Sequence, residues 1–498
     1  MSRPSAVFLA LLTLVPTASA QRPAPRALVQ RALESLGGEG AARGVNTLSY
    51  DFVTVNYQLG QEETPLSPPR GTIQNGRIVV DFANERRFQD IEVRPGAAAA
   101  PPAPGSPPVA AARQRRVTLR DGGMIQNNDQ QTPEPAAQRV GVQQSMRFIP
   151  HRLLLAALDR ADALSAIAPR AFRGDTLNGA RYASGADTAA LYFDRIAGNL
   201  VIVETTTDDP VLGDRRTATI YTRWTPTGAI MFPRQVDIEV NGRASGHTNI
   251  AAASTNEAAP DAMFAIPDSI LPRSRQPATA PAPIVVTLVD LGSGVWRAEG
   301  GSHHSLVVEQ PNGLILVEAP QNRARMAAVF DTLKSRFPNK PVQTAVNTHH
   351  HWDHSGGLRE TMARNVAIVT HVRNADFVRG IALARKTIAP DMLSRVRRYP
   401  SVRGVRDSLT LGSGDGRVVV YALPTAHAEG MLAAFVPSVG VLFTSDVVSP
   451  GAPNVALPAL GSGELARFAT ARGIAPRRYA GGHGRIAEWE EIRRAANP

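Results

Sequence analysis

Apolar residues along this chain follow two rhythms, and the rhythm changes near residue 284. Ahead of that point, polar and apolar positions alternate over Thr47 to Leu59, Gly71 to Ala83, Arg116 to Arg120, Ala183 to Asp194, Leu200 to Thr206, Thr217 to Trp224 and Gln235 to Asn241. That period of two predicts half-buried strands. Turn residues such as Ala197-Gly198-Asn199 and Asn241-Gly242 separate several of them, which predicts an antiparallel meander. One helix precedes it, Pro25 to Leu36, closed by Gly37-Gly38, and a second interrupts it, Pro150 to Leu164, with Leu153, Leu154, Leu155 and Leu158 at helical spacing. Beyond residue 284, short apolar runs alternate with helical stretches. Ile284 to Leu288, Ser305 to Glu309, Leu314 to Val317, Val342 to Asn347 and Val366 to Thr370 read as strands around a helix over Arg323 to Phe337. A second half repeats the pattern, with strands at Asp407 to Leu411, Arg417 to Leu423, Leu432 to Val436 and Val441 to Thr444, then helices over Glu464 to Gly473 and Ile486 to Ala495. Strands and helices in this order predict a layered sheet sandwich.

At 498 residues the chain is long enough for two cores. A Pro/Ala/Gly tract near 96–112 cannot build a core and predicts a disordered surface loop; the Gln-rich piece from Asn127 to Gln144 reads the same way. A Pro-rich stretch at 274–283 is the expected linker, so the β-rich domain spans 21–273 and the second domain 284–498. At the N-terminus, Arg3, the apolar run Val7 to Val15 and Ala18-Ser19-Ala20 read as a signal peptide over 1–20 with an A-x-A cleavage site. The apolar run is far shorter than the roughly 20 residues of a bilayer span. The expectation is an exported protein with no stable membrane anchor, periplasmic if the host is Gram-negative and otherwise extracellular.

The chain contains no cysteine, so thiolate ligation and disulfides are excluded and any metal falls to His and Asp. Candidate ligands are concentrated. Thr348-His349-His350-His351-Trp352-Asp353-His354-Ser355-Gly356-Gly357 follows a predicted strand and reads H-x-H-x-D-H. Thr425-Ala426-His427, Thr444-Ser445-Asp446 and Gly481-Gly482-His483-Gly484 each follow a further apolar run. Imidazole with carboxylate suits zinc or another first-row cation.

On these motifs, the region from Pro283 onward resembles the metallo-β-lactamase superfamily of dinuclear metal hydrolases. The resemblance implies an α+β architecture, an αββα sandwich preceded here by an antiparallel β-rich, half-barrel-like domain. It implies a first metal on His349, His351 and His427, a second on Asp353, His354 and His483, and Asp446 as a bridge. Two Zn2+ per chain are expected, with Fe or Mn possible. Two cations can lower the pKa of a shared water from near 16 to about 7, giving hydroxide at neutral pH; Asp353 is the expected catalytic residue that orients or deprotonates it. Two departures stand out. The third motif reads Ala426-His427-Ala428-Glu429-Gly430 in place of G-H-T-x-G. An early strand ends in Val317-Glu318-Ala319-Pro320, where Glu318 reads as a structural turn carboxylate. The first domain resembles half-barrel periplasmic lipoprotein carriers in its hairpin rhythm and its Met231-Phe232-Pro233 turn, which implies an apolar ligand or a docking partner.

The remaining histidines are read individually. His350 sits between two ligands and must face away from the metals; His371, His151 and His247 read as scaffold. Gly300-Gly301-Ser302-His303-His304 precedes a core strand at the edge where the site opens, which makes His304 a possible pocket residue. The formal charge is +11, yet its arginines are scattered and no nucleic-acid-binding motif accompanies them. A small-molecule substrate is expected, and no nucleic acid. A basic insert holding Arg373, Arg379, Arg385, Lys386, Arg395, Arg397, Arg398, Arg403 and Arg406 is either a solvated face or a rim that draws an anionic substrate. The expected activity is hydrolysis of an ester, lactone, thioester, amide or phosphoester. The alternatives are a β-lactamase, which in this family usually lacks a bridging aspartate, a mononuclear iron enzyme similar to persulfide dioxygenases, and a non-catalytic envelope binding protein.

Overall fold

The computed structural model describes residues 23–95, 112–277, 282–396, 399–453 and 455–497. The signal peptide reading, most of the 96–112 loop, part of the linker, and Arg397 and Arg398 therefore lie outside the described residues.

The first region is built on one thirteen-stranded sheet whose described pairings are all antiparallel. Two meanders meet where the first strand, Thr47–Gln58, pairs with the last, Arg243–Thr255. Helices Pro25–Ser35 and Pro150–Asp159 pack on one half of the sheet, where Leu28, Val29, Leu33, Leu153 and Leu154 meet Tyr182, Leu191, Phe193 and Leu200. The alternation along Asp187–Phe193, with Ala189, Leu191 and Phe193 buried, is the period-two signal in the sequence.

Several elements differ from expectation. Ala136–Arg147 is a helix, not part of a disordered Gln-rich segment; Val142 and Met146, four apart, bury one face although the rest of it is polar. Met231-Phe232-Pro233 lies inside the strand Ile230–Val240, with Pro233 opposite Trp224 and beside a left-handed Arg223, φ 57°. Strands Arg86–Pro95, Leu164–Phe172 and Asp175–Ser184 add to those expected, since charged, Ala and Ser residues dilute their alternation.

The second region has four layers, which follow from three apolar clusters. A seven-stranded and a six-stranded sheet face each other through Val308, Ile315, Val346, Val369, Val420, Leu432, Ala434 and Phe443. Helices Arg323–Arg336, Leu358–Ala363 and Ala375–Leu383 cover the first sheet through Met326, Val329, Leu358 and Val378. Ala459–Arg472 and Trp489–Ala496 cover the second through Leu465, Phe468 and Ile492. Asn322 caps the first of these helices by accepting from the Arg325 N–H at 3.0 Å. Glu488 and Glu491 form a capping box on the last, so residues 486–488, expected to be helical, are instead a strand feeding that cap.

Among the described residues the two regions meet in two areas. Val211, at the tip of a hairpin of the first domain, is 2% exposed and packs into the helical layer of the second. Beside it Asp214 N–H donates to the Arg385 carbonyl at 2.6 Å, and Lys386 pairs with Asp208. Elsewhere residues 59–69, the connection after Thr47–Gln58, reach the histidine motif. No helix among the described residues is long and apolar enough to cross a membrane.

Candidate metal centre

Ligand candidates emerge where strands end. Val342–Val346 is parallel to both neighbours in the sheet and hands the chain to His349, His350 and His351. One helical turn, Trp352–Ser355, then brings Asp353 and His354 back to the same point. His427 follows Val418–Leu423, Asp446 follows Val441–Phe443, and His483 follows Arg478–Ala480. Gly482 is required for the last of these, because a Cβ there would lie 2.7 Å from Ser445 Oγ and 3.1 Å from its Cα.

These side chains converge into two adjacent groups whose potential ligand atoms all lie within 4.8 Å of one another: His349, His351, His427 and Asp446; and His303, Asp353, His354 and His483. His427 Nε2 is 3.3 Å from His349 Nε2 and 3.1 Å from His351 Nδ1. Donors about 2.0–2.1 Å from a tetrahedral zinc lie about 3.3 Å apart, so the cluster has the spacing of a cation site. Asp446 joins the two groups: Oδ2 is 3.0 Å from His354 Nε2 and 3.6 Å from His427 Nε2, while Oδ1 is 3.2 Å from His483 Nε2. Asp353 Oδ2 is 3.3 Å from His354 Nε2. His354 Nε2 is fully buried and faces the Asp353 and Asp446 carboxylates without a well-aligned hydrogen bond to either, an arrangement that a cation between them would satisfy.

The far nitrogens of these rings are held as metal-ligating imidazoles require. His349 Nδ1 is 3.0 Å from Thr348 Oγ1, which donates to Glu318 at 2.8 Å. His354 Nδ1 is 3.0 Å from Ser445 Oγ, and His483 Nδ1 donates to the Ser302 carbonyl at 2.7 Å. Glu318 is thus more than a turn carboxylate. It is fully buried at φ 82°, and its second oxygen lies 3.6 Å from His354 Nδ1.

Electrostatics agree with the geometry. Burial, reinforced by neighbouring imidazoles, pushes His349 and His351 well below the usual histidine range. Burial opposes ionisation of Asp446 and Asp353, but His354 and its neighbours hold both carboxyls well below theirs. Neutral imidazoles and ionised carboxylates are the state a divalent cation needs. His354 and His483 are the exceptions: burial disfavours their charge, yet Asp446 raises both, and Asp446, Glu318 and Asp353 together lift His354 well above normal. A field that holds a proton there attracts a cation to the same place.

A sequence profile of the Metallo-beta-lactamase superfamily matches residues 298–482. The C-terminal region is a metallo-beta-lactamase superfamily domain. It supplies the frame of a metal-dependent hydrolase. Among characterised relatives, the 2,4-dinitroanisole O-demethylase subunit alpha of Nocardioides sp. (strain JS1661) is 27% identical over 157 residues, 32% of this chain and 44% of that protein. The match therefore spans less than half the length of that relative. Similar solved structures include a metallo-beta-lactamase from Pontibacter korlensis, at TM-score 0.34 and 17% identity over 43% of this chain and 100% of that one. Another is FIM-1 from Pseudomonas aeruginosa in its mono-zinc form, at TM-score 0.33 and 18% identity over 43% and 95%.

Of the residues singled out in the sequence, His349, His351, His427, Asp446, Asp353, His354 and His483 come together in this domain. His304 sits just behind them. Its N–H donates to the Gly482 carbonyl at 2.8 Å, its buried Nδ1 has no hydrogen-bond partner, and burial lowers its pKa to about 4. Its neighbour His303 faces the cluster instead, with Nε2 3.3 Å from Asp353 Oδ2. Both sit in the Gly-rich turn at the site's edge, and the bond from the His304 backbone N–H to the Gly482 carbonyl leaves the His303 ring to face Asp353. His350 faces away, as expected. In the basic insert Arg379 pairs with Asp376 and Arg373 with Glu429, while Lys386 and Arg385 engage acids of the first domain.

Proposed function

We propose that the protein is an exported dinuclear zinc hydrolase of an ester, lactone, thioester, amide or phosphoester. The observation that carries this reading is the position of Asp446 between a three-histidine group and the Asp353, His354 and His483 group. His349, His351 and His427 would hold one ion and Asp353, His354 and His483 the other. Zinc bound there would lower the pKa of a shared water and polarise the scissile carbonyl or phosphoryl oxygen. Asp353, 39% exposed where the other carboxylate is buried, orients the attacking water and accepts its proton. His303 contacts Asp353 through Nε2 at 3.3 Å and holds Ser302 Oγ through Nδ1. Export rests on the N-terminal segment of the sequence.

The substrate side is open. Arg373, 63% exposed beside the His427 motif although paired with Glu429, is a guanidinium at that motif for drawing an anionic substrate. The demethylase relative adds an activated aryl methyl ether to the candidates. In the first domain a slot of about 350 Å³ is lined by Phe82, Met146, Phe148, Leu153 and Tyr182 together with Glu85, Arg120, Arg147, Arg152 and Asp187, so a ligand there would be amphipathic rather than purely apolar. The test is a panel of esters, lactones, phosphodiesters, β-lactams and a nitroaryl methyl ether, in charged and neutral versions, at low and high salt. Zinc-dependent turnover of one class supports the reading, with kcat/KM for the anion falling with salt and in Arg373→Ala. Failure to hydrolyse any member when zinc is bound contradicts it.

A further inference from the structure

The connection at residues 59–69 belongs to the first domain, yet its inner part lies against the metal centre of the second. Glu62 is 1% exposed. Its carbonyl oxygen accepts from His350 Nε2 at 2.9 Å and His351 Nε2 at 3.0 Å. A carbonyl only accepts, so both Nε2 atoms carry protons and His351 presents the lone pair of Nδ1 to the cluster, 3.1 Å from His427 Nε2. His349 presents the opposite atom, Nε2, because Thr348 takes its Nδ1. Next to Glu62, Gln61 Nε2 donates to Asp353 Oδ1 at 2.8 Å, leaving Oδ2 to face His354 and His303.

The segment is fixed by more than these contacts. The Glu62 carboxylate accepts from the Gly60 N–H at 2.7 Å and from Arg243, on the Arg243–Thr255 strand, at 2.6 Å. The Gly60 carbonyl accepts from the Trp352 N–H at 3.1 Å, and the Glu63 carbonyl from the Glu429 N–H at 2.8 Å. Gly60 has φ +85°, and a Cβ there would sit 2.2 Å from the Trp352 ring. One short stretch thus grips both the H-x-H-x-D-H motif and the loop that carries His427.

We propose that residues 60–63 of the first domain are a built part of the metal centre: the Glu62 carbonyl sets the tautomer and direction of His351, and Gln61 is a positioning residue for Asp353. The inference rests on the metal-binding reading above. Mere domain packing would predict the same contacts but no selective effect on metal retention, and the Val211 and Lys386 contact supplies the comparison.

The test uses the full chain loaded with Zn2+ and dialysed against graded chelator, with metal content and melting temperature measured together. Arg243→Met releases the anchor of Glu62 without touching a ligand, and Gly60→Ala displaces the segment. Both are expected to release zinc at roughly 10- to 100-fold lower chelator concentration, the usual cost of losing such support. Gln61→Ala is expected to lower kcat more than KM and to move the acid limb of the pH–rate profile, with Gln61→Glu not restoring it. Lys386→Met, at the other contact, is expected to retain zinc as the wild type does. If Arg243→Met and Gln61→Ala match the wild type in zinc retention and pH profile, or if Lys386→Met loses zinc equally, the segment is packing only and the proposal falls. If the wild type itself takes up no zinc, it is the metal reading that fails.

Discussion

Asp446→Asn is the substitution from which the two-ion account has most to lose. The carboxylate is 6% exposed and lies within 3.6 Å of imidazole nitrogens from both groups. Asparagine keeps the shape and one acceptor oxygen but puts an N–H2 where the second ligand atom stood, so it can serve one ion at most. Two unit charges about 4 Å apart at an effective dielectric near 20 interact by about 4 kcal/mol, and about 1.4 kcal/mol is tenfold in an equilibrium. Losing the anionic bridge is therefore expected to weaken zinc retention by on the order of a thousandfold at the more dependent group, and by at least tenfold at the other. The assay is chelator competition followed by metal analysis, with circular dichroism to show that the fold persists. An Asn variant that keeps two ions at wild-type chelator resistance would refute the bridge.

Other expectations follow from the same contacts. Asp353→Asn should bind close to the wild-type amount of zinc at saturating metal but lose roughly a hundredfold in kcat, because the proton acceptor is gone; steady-state kinetics with a normal rate would remove its role. Arg359 and Asp391, each about 5% exposed, form a bidentate pair, and the ion pair with Arg359 outweighs burial to hold the Asp391 carboxyl below its usual range. Asp391→Asn strands a buried guanidinium and should cost about 3–5 kcal/mol by denaturant unfolding. Since the folded pKa is depressed, that stabilisation is present above about pH 4 and fades only as pH falls further; an equal loss at pH 2 and pH 7 would argue against it. His151 is 1% exposed, without a hydrogen-bond partner and edge-on to Phe82, and burial pushes its pKa down to about 3. The unfolded chain binds that proton first, so His151 alone should contribute a loss of about 1.4 kcal/mol per pH unit below roughly 6.5, added to the losses from the other histidines that burial holds low. His151→Phe should lower the slope by about 1.4 kcal/mol per pH unit, and an unchanged slope would remove His151 from it.

What the sequence revealed depended on how local each signal was. In the second domain, continuous apolar runs such as Leu314 to Val317 and Met431 to Val436 mark strands buried on both faces, and ligand types at the strand ends mark the site. In the first domain, strands such as Leu164–Phe172 are half exposed and rich in Ala and Ser, so their alternation is weak. The helix Ala136–Arg147 buries only Val142 and Met146, too few to show a period. Gln61 and Glu62 could not be read at all, because their partners lie about 290 residues away and the link is made by the Arg243–Thr255 strand and the docking of two domains. His303 had a visible signal, its place in a Gly-rich turn before a core strand, but nothing local distinguishes its ring from that of His304.

Titration of zinc into chelator-stripped full-length protein, read by calorimetry and confirmed by elemental analysis, tests the central claim most directly. Two ions per chain are expected, with His349→Ala and His483→Ala each losing at least one. Binding of no ion, or of one ion unaffected by either substitution, would contradict the dinuclear centre.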